Sequence, residues 1–424
     1  MPGHKGVPLL GMESLDITEI EGADSLYEAN GIIMQSEANA SALFGSETYY
    51  STEGSSQCIR AMLHLAALHA RQKGRKPTVA AARNVHKTFL SGAALLGLDI
   101  VWLYPEQPDS YLSCRLSADD IDTTLSAMAE PPAAVYLTSP DYLGNAADLR
   151  SIADVCHRHD VLLLVDNAHG AYLRFLPELM HPIDLGADIC CDSAHKTLPV
   201  LTGGAYLHIS KDAPRILSEQ AKNALALFGS TSPSYLILQS LDAANAYLAD
   251  GYREKLAAIA AEVRKLKDTL QNHGYSLCGD EPLKLTIRTK PYGYYGRQLA
   301  DILLEKNIVC EFSDPDHVVM MFTPETGKSG LQRLEDALLT IPAERPICEA
   351  PPSFHRCEHV MSIRDAVFSP CEVIPVSESC GRILAAPSVS CPPAVPIVIC
   401  GERIDCSAVD CFAYYGIETC SVLI

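Results

Sequence analysis

The chain reads as an α/β protein built on a mainly parallel sheet. Three observations predict this. Short apolar runs recur at Thr78–Ala81, Ile100–Leu103, Ala134–Leu137, Val161–Val165, Asp188–Cys191 and Ala205–Ile209. They are compact and largely continuous, as strands covered on both faces are, rather than alternating as half-solvated strands do. Helix-periodic stretches separate several of them, and such crossovers lay strands parallel with helices on both sides.

The elements follow in order. A helix is expected over Gln57 to Arg71, opened by Thr52-Glu53-Gly54-Ser55-Ser56. In Asp148 to His159, the residues Leu149, Ile152, Ala153 and Cys156 fall at i, i+3, i+4 and i+7, one face of a helix, and Asp148 is placed to cap it. An Ala-rich helical stretch runs from about Ser234 to His273. Beyond it, Leu283–Thr289 and Val318–Phe322 read as strands flanking a helix near Gly296–Lys306, with Ile308–Phe312 also strand-like. Pro342, Pro346, Pro351 and Pro352 then mark a linker. The expected division is a large domain over 1–250, a small α/β domain over 251–345 and a C-terminal domain over 346–424, rich in Pro, Cys and Val with few helical signals.

Composition bounds the function. The 424 residues are 48% hydrophobic and 20% charged, which supports a sizeable core and excludes wholesale disorder. A formal charge of −19 argues against a nucleic-acid surface. No apolar run reaches the roughly 18 residues that span a bilayer. The opening Met1-Pro2-Gly3-His4-Lys5-Gly6 has no apolar core of a signal peptide, so a cytoplasmic protein is expected. The 16 cysteines include no Cys-x-x-Cys pair and no zinc-like spacing. They are read as mostly reduced, small apolar residues, and no metal site is expected.

Three segments place reactive groups at predicted strand ends, where open parallel sheets bind ligands. Ser193-Ala194-His195-Lys196-Thr197 follows Asp188–Cys191. A lone loop lysine is ordinarily a surface charge, but one in an apolar pocket has a depressed pKa and condenses with an aldehyde. Val165-Asp166-Asn167-Ala168-His169-Gly170 offers Asp166 as a carboxylate for a cationic ring nitrogen, or simply as a turn cap, with His169 three residues on. Gly54-Ser55-Ser56 opens a helix, whose free N–H groups hold a phosphate or are merely capped. A phosphate cradle, an acid for a pyridinium and a lysine for an aldehyde together match pyridoxal 5′-phosphate. About 30 residues separate Asp166 from Lys196, enough for one crossover.

At this point the sequence resembles the fold-type-I pyridoxal-phosphate decarboxylases of ornithine, lysine and arginine. The motifs are Pro2-Gly3-His4-Lys5-Gly6, Asp16-x-Thr18-Glu19, Gly22-Ala23-Asp24-Ser25-Leu26, Leu43-Phe44-Gly45, Arg83-Asn84-x-His86-Lys87 and Leu137-Thr138-Ser139-Pro140. They continue with Asp166-x-Ala168-His169-Gly170-Ala171 and Ser193-x-His195-Lys196-Thr197-Leu198-Pro199. The tail matches through Ser369-Pro370, Glu378-x-x-Gly381-Arg382-Ile383 and Pro392-Pro393-x-x-Pro396.

The resemblance implies that Lys196 holds the cofactor, Asp166 pairs with its ring nitrogen, His169 lies near its phenolic oxygen and His86 stacks on its ring. Ser55, Ser56, Ser193 and His195 are assigned to the phosphate and its surroundings, and Lys196 or His195 to protonation of the α-carbon. The implied reaction converts arginine, lysine or ornithine to a polyamine precursor and CO2. The implied assembly is a homodimer with the active site at the interface, to which residues around His4 and the tail contribute. Glu311, Asp314 and Asp316 are candidates for the substrate's basic end, beside their ordinary reading as loop charges, and Arg382 for a carboxylate or a partner chain. The chain departs from the family in having Asn167 where Glu is common, and in lacking the N-terminal wing domain of the large acid-stress forms, which favours a dimer over their decamer. Transamination or β-elimination on the same cofactor, and a non-catalytic relative, stand as alternatives.

Overall fold

A computed structural model describes residues 1–105, 110–353, 356–387 and 393–424; Cys391 and Pro392 of the tail lie outside them. The chain divides into two compact units. The first comprises Met1–Ala81, Ser117–Ser139 and Asp148–Glu254, the second Ala82–Leu116, Pro140–Ala147 and Lys255–Ile424.

The strands are β1 (Glu47–Ser51), β2 (Thr78–Ala82), β3 (Asp99–Leu103), β4 (Ala134–Thr138), β5 (Leu162–Asp166), β6 (Ile189–Asp192) and β7 (Ala205–Ile209). All but β1 fall on the predicted apolar runs. β1 reads Glu-Thr-Tyr-Tyr-Ser and has no apolar run to betray it. Six strands of the seven-stranded sheet are ordered β1-β7-β6-β5-β4-β2. Pairing is parallel from β2 through β4 and β5 to β6, while β7 runs antiparallel to both β6 and β1. Every residue of β5 is buried, with Leu163, Leu164 and Val165 wholly so. Burying such a side chain is worth about 1.5–3 kcal/mol, and truncating Leu164 to alanine would cost about 2–5 kcal/mol.

Local chemistry fixes the helix starts. Helix α1 (Ile32–Phe44) follows Gly31, which offers no capping side chain. Asp24 supplies the cap instead: its Oδ1 accepts from the N–H groups of Ser25 and Asn30, and its Oδ2 from those of Gly31, Ile33 and Met34, at 2.8–3.4 Å. That explains the Asp of the Gly22-Ala23-Asp24 motif. Helix α2 (Ser55–Gln72) starts two residues earlier than read. Helix α3 (Lys87–Leu96) belongs to the second unit, and α4 (Ala118–Ala127) and α5 (Leu149–Arg158) to the first. Asp148 caps α5 through the Ser151 N–H at 3.2 Å, and Leu149, Ile152, Ala153 and Cys156 are buried as the periodicity predicts. The Ala-rich stretch is two helices, Tyr235–Ala249 and Tyr252–Asn272, rather than one, broken at Asp250-Gly251 where the glycine takes a left-handed conformation.

In the second unit β8 (Ser276–Cys278), β9 (Lys284–Arg288), β10 (Phe312–Ser313) and β11 (His317–Met321) form an antiparallel sheet ordered β10-β11-β9-β8. Of the strand-like Ile308–Phe312, only Phe312 is in a strand, because Val309 and Glu311 are exposed and the pairing with Val319 begins at Phe312. Helices Gly296–Glu305 and Gly327–Leu339 accompany the sheet. Residues 342–353 carry no regular element, as their prolines require. The tail holds more helix than its composition suggests, Ile363–Val367 and Cys406–Tyr414, beside two small two-stranded sheets. Cys357, Cys411 and Cys420 join Leu384, Ile404 and Phe412 in one apolar cluster, so these thiols do serve as small core residues. Arg83, 3% exposed, donates to the carbonyls of Pro396 and Ile397 at 2.8 and 2.7 Å, tying two of the sequence motifs together.

Candidate active site

The first unit holds seven of the predicted site residues, Ser55, Ser56, Asp166, His169, Ser193, His195 and Lys196, at or just beyond strand ends. β5 ends in Asp166, and β6 runs into Ser193 and the short helix α6 (Ala194–Thr197). Parallel pairing sets Asp166 opposite Cys191, so the acid and the lysine segment emerge side by side. The Lys196 amine lies 2.7 Å from His169 Nε2, and the two share a hydrogen bond. Lys196 itself is exposed rather than enclosed in an apolar pocket, since it sits on a one-turn helix beyond the end of β6; His169 is buried.

Asp166 is 2% exposed. Its Oδ2 accepts from the Tyr136 hydroxyl at 3.3 Å, and its Oδ1 from the Ala168 N–H at 3.2 Å and the Cys191 thiol at 3.8 Å. Burial pushes its pKa up, against the pull of the Lys196 charge, so this carboxylate gains from any further cation placed beside it. Gly170 is demanded by a close approach, because a Cβ there would lie 2.0 Å from Asn167 Oδ1.

Helix α2 begins at Ser55 with no side-chain cap from Gly54, whose φ of 72° suits glycine. The Ser193 hydroxyl donates to Ser55 Oγ at 2.8 Å, joining this helix start to the lysine segment, and Ser56 is the next helical residue. His195 Nδ1 lies 3.0 Å from the Gly204 carbonyl; donation there fixes the tautomer and leaves Nε2 as the acceptor.

The other predicted residues belong to the second unit, each with local partners. His86 is the N-cap of α3, its Nδ1 accepting from the Thr88 N–H at 3.2 Å. Glu311 accepts from the Tyr142 hydroxyl at 3.2 Å. Asp314 is buried, accepts from the N–H groups of Asp316 and His317 and pairs with the His317 ring at 3.3 Å. Asp316 pairs with Lys290 at 2.9 Å, and Arg382 with Glu372 at 2.8 Å and the Leu423 carbonyl at 2.6 Å.

Sequence reading missed a buried polar network behind the lysine segment. Asp192 Oδ2 lies 3.1 Å from His181 Nε2 and 3.2 Å from His208 Nε2, while its Oδ1 accepts from the Asn167 amide at 2.7 Å. All four residues are fully buried. Asn167 therefore points into this network, where a second carboxylate would face Asp192. The available signal was two polar residues, Asp192 and His208, inside otherwise apolar strands.

The donor set fits pyridoxal phosphate: an amine for its aldehyde, a buried carboxylate lacking a strong cation for its ring nitrogen, and an uncapped helix start with two hydroxyls for its phosphate. The buried hydroxyls of Thr138, ending β4, and Thr197, following the lysine, have no hydrogen-bond partner, so polar capacity remains there.

Comparison with known proteins agrees. The solved structure of lysine decarboxylase LdcF from Francisella novicida superposes over 100% of this chain and 78% of its own with a TM-score of 0.79 at 18% identity. The constitutive lysine decarboxylase of E. coli gives 0.77 over 100% and 79%, also at 18% identity. The fold is thus that of the fold-type-I pyridoxal-phosphate enzymes. Residues 11–280 match the Orn/Lys/Arg decarboxylase major domain, and the chain belongs to that family. It is 31% identical to an arginine decarboxylase of Bacillus subtilis over 95% of this chain and 87% of the relative. It is 32% identical to the uncharacterized protein YaaO of the same organism over 94% and 84%. The protein is a pyridoxal-phosphate-dependent amino-acid decarboxylase.

Proposed function

We propose that the protein removes the α-carboxylate of a basic amino acid, releasing CO2 and an amine that serves as a polyamine precursor, with arginine the first substrate to test. The observation that carries the reading is the Lys196–His169 contact beside the buried Asp166 carboxylate. Arginine is favoured because relatives named arginine decarboxylase align over 92–95% of the chain at 30–31% identity.

In this reading Lys196 would hold the cofactor's aldehyde carbon, Asp166 its ring nitrogen, and Ser55, Ser56 and Ser193 its phosphate. The cofactor, when bound, supplies an electron sink for the pair left on the α-carbon as CO2 departs. The chain's own groups do the rest. Tyr136 and the Ala168 N–H hold the Asp166 carboxylate at the strand end without neutralising it, so its charge stays available to a cation. His169 orients the Lys196 amine and takes or returns its proton through Nε2. Lys196, or His195 through its free Nε2, delivers the proton that replaces the lost carboxylate.

We assign the enzyme to the cytoplasm and to a homodimer. Val7, Leu9 and Leu10 are 55%, 81% and 82% exposed, an apolar N-terminal surface that a second copy would cover. The test is a panel of arginine, lysine and ornithine with the loaded enzyme, read by product chromatography and CO2 release. One of the three should yield amine and CO2 in equal amounts. Amine-group transfer or ammonia release without CO2 would overturn the assignment.

A further inference from the structure

Cys380 and Cys406 both lie in the second unit, are exposed, and bring their sulfurs to 2.6 Å of each other. Backbone hydrogen bonds hold the two flanking segments against each other. Ile383 and Arg403 form an antiparallel bridge, the Ile404 N–H donates to the Arg382 carbonyl at 2.8 Å, and the Gly381 N–H donates to the Ile404 carbonyl at 2.7 Å. Both ends are anchored: the buried Ser379 hydroxyl donates to the Val376 carbonyl at 2.7 Å, and Asp405 caps helix Cys406–Tyr414 through the Ala408 N–H at 2.8 Å. Among the described residues, the other exposed thiols, Cys348 and Cys371, have no sulfur within hydrogen-bonding reach.

We propose that Cys380 and Cys406 are a reversible disulfide site, oxidised by exchange with a small-molecule disulfide. One protein thiolate attacks the small disulfide, forming a mixed disulfide and releasing one small thiol. The second protein thiolate then attacks that mixed bond, closing the protein disulfide and releasing the second small thiol. Two protein S–H bonds and one small S–S bond are exchanged for one protein S–S bond and two small S–H bonds, so two electrons and two protons pass to the oxidant. Their shared hydrogen bond raises the Cys380 thiol's pKa, and either thiolate can make the first attack.

The full-length protein is incubated with oxidised glutathione, alkylated and digested with trypsin without reduction. The wild type should yield a peptide pair joined through Cys380 and Cys406, with the intact mass lowered by about 2 Da at this pair. Cys380→Ser and Cys406→Ser should each carry one glutathione on the remaining thiol instead, and dithiothreitol should reverse both products. Cys371 serves as an internal control and should stay monomeric in sulfur linkage. Full alkylation of Cys380 and Cys406 in the oxidised wild type, glutathione on both, or a cross-link that persists in either serine variant would overturn the proposal.

Discussion

Replacing Asp192 tests how the lysine segment is held. The carboxylate receives three buried donors, from His181, His208 and Asn167. Burial opposes its charge, but the two histidines outweigh that and hold its pKa well below the usual carboxylate range. Asp192→Ala leaves all three donors unpaired. Each costs about 1–3 kcal/mol, and removal of one partner of such a buried group costs about 3–5 kcal/mol overall. For a unit of roughly 200 residues, about 2–4 °C of melting temperature accompanies each kcal/mol, so the loss should be about 10 °C. Asp192→Asn should lose much less, about 1–2 kcal/mol. Its oxygen can still serve both histidines, and Asn167 can turn its unpartnered Oδ1 toward the new amide. Thermal unfolding by circular dichroism measures both, and hydrogen exchange of the β6 peptide locates the change. If the alanine variant melts within about 2 °C of wild type, or the two variants are indistinguishable, the network does not support the strand that leads to Lys196.

Two further predictions concern pH. The Asp24 cap of α1 has its pKa lowered to about 2, because five backbone N–H groups outweigh the desolvation that opposes the charge. Its contribution is present above the ordinary aspartate value near 3.8 and is lost as pH falls through about 2; Asp24→Ala should cost about 1–2 kcal/mol at pH 7 and progressively less below pH 4 in urea unfolding. His317 is opposed by burial, yet hydrogen bonds to Asp314 and Cys278 raise its pKa to about 10. Its contribution is complete below about 6.5 and is lost as pH rises through about 10, so alkaline destabilisation of the second unit should be weaker in His317→Gln; equal pH slopes would remove the ion pair from the account.

The sheet was legible because its strands are nearly pure apolar runs, and the candidate site because Asp166 ends one such run and Lys196 follows another, Asp188–Cys191, by 5 residues. β1 escaped because Thr48, Tyr49 and Tyr50 carry polar groups that find partners only across the fold, such as the Tyr50 hydroxyl with Ser36 at 2.8 Å. The Asp192 network escaped for the same reason: histidines eleven and sixteen residues away supply its partners, a relation no local pattern encodes. Asp314 was readable as a charge near a strand, but its role there is local, holding the turn into β11. In the tail, helix Cys406–Tyr414 escaped because only Ala408, Cys411 and Phe412 of its 9 residues are buried, too few to set a helical period.

The most direct measurement is borohydride reduction of the enzyme loaded with pyridoxal phosphate, followed by peptide mass mapping. A pyridoxyl group fixed on Lys196, with loss of the near-visible absorbance band, is the predicted result. A label on any other lysine, or none on an enzyme that still releases CO2, would contradict the central claim.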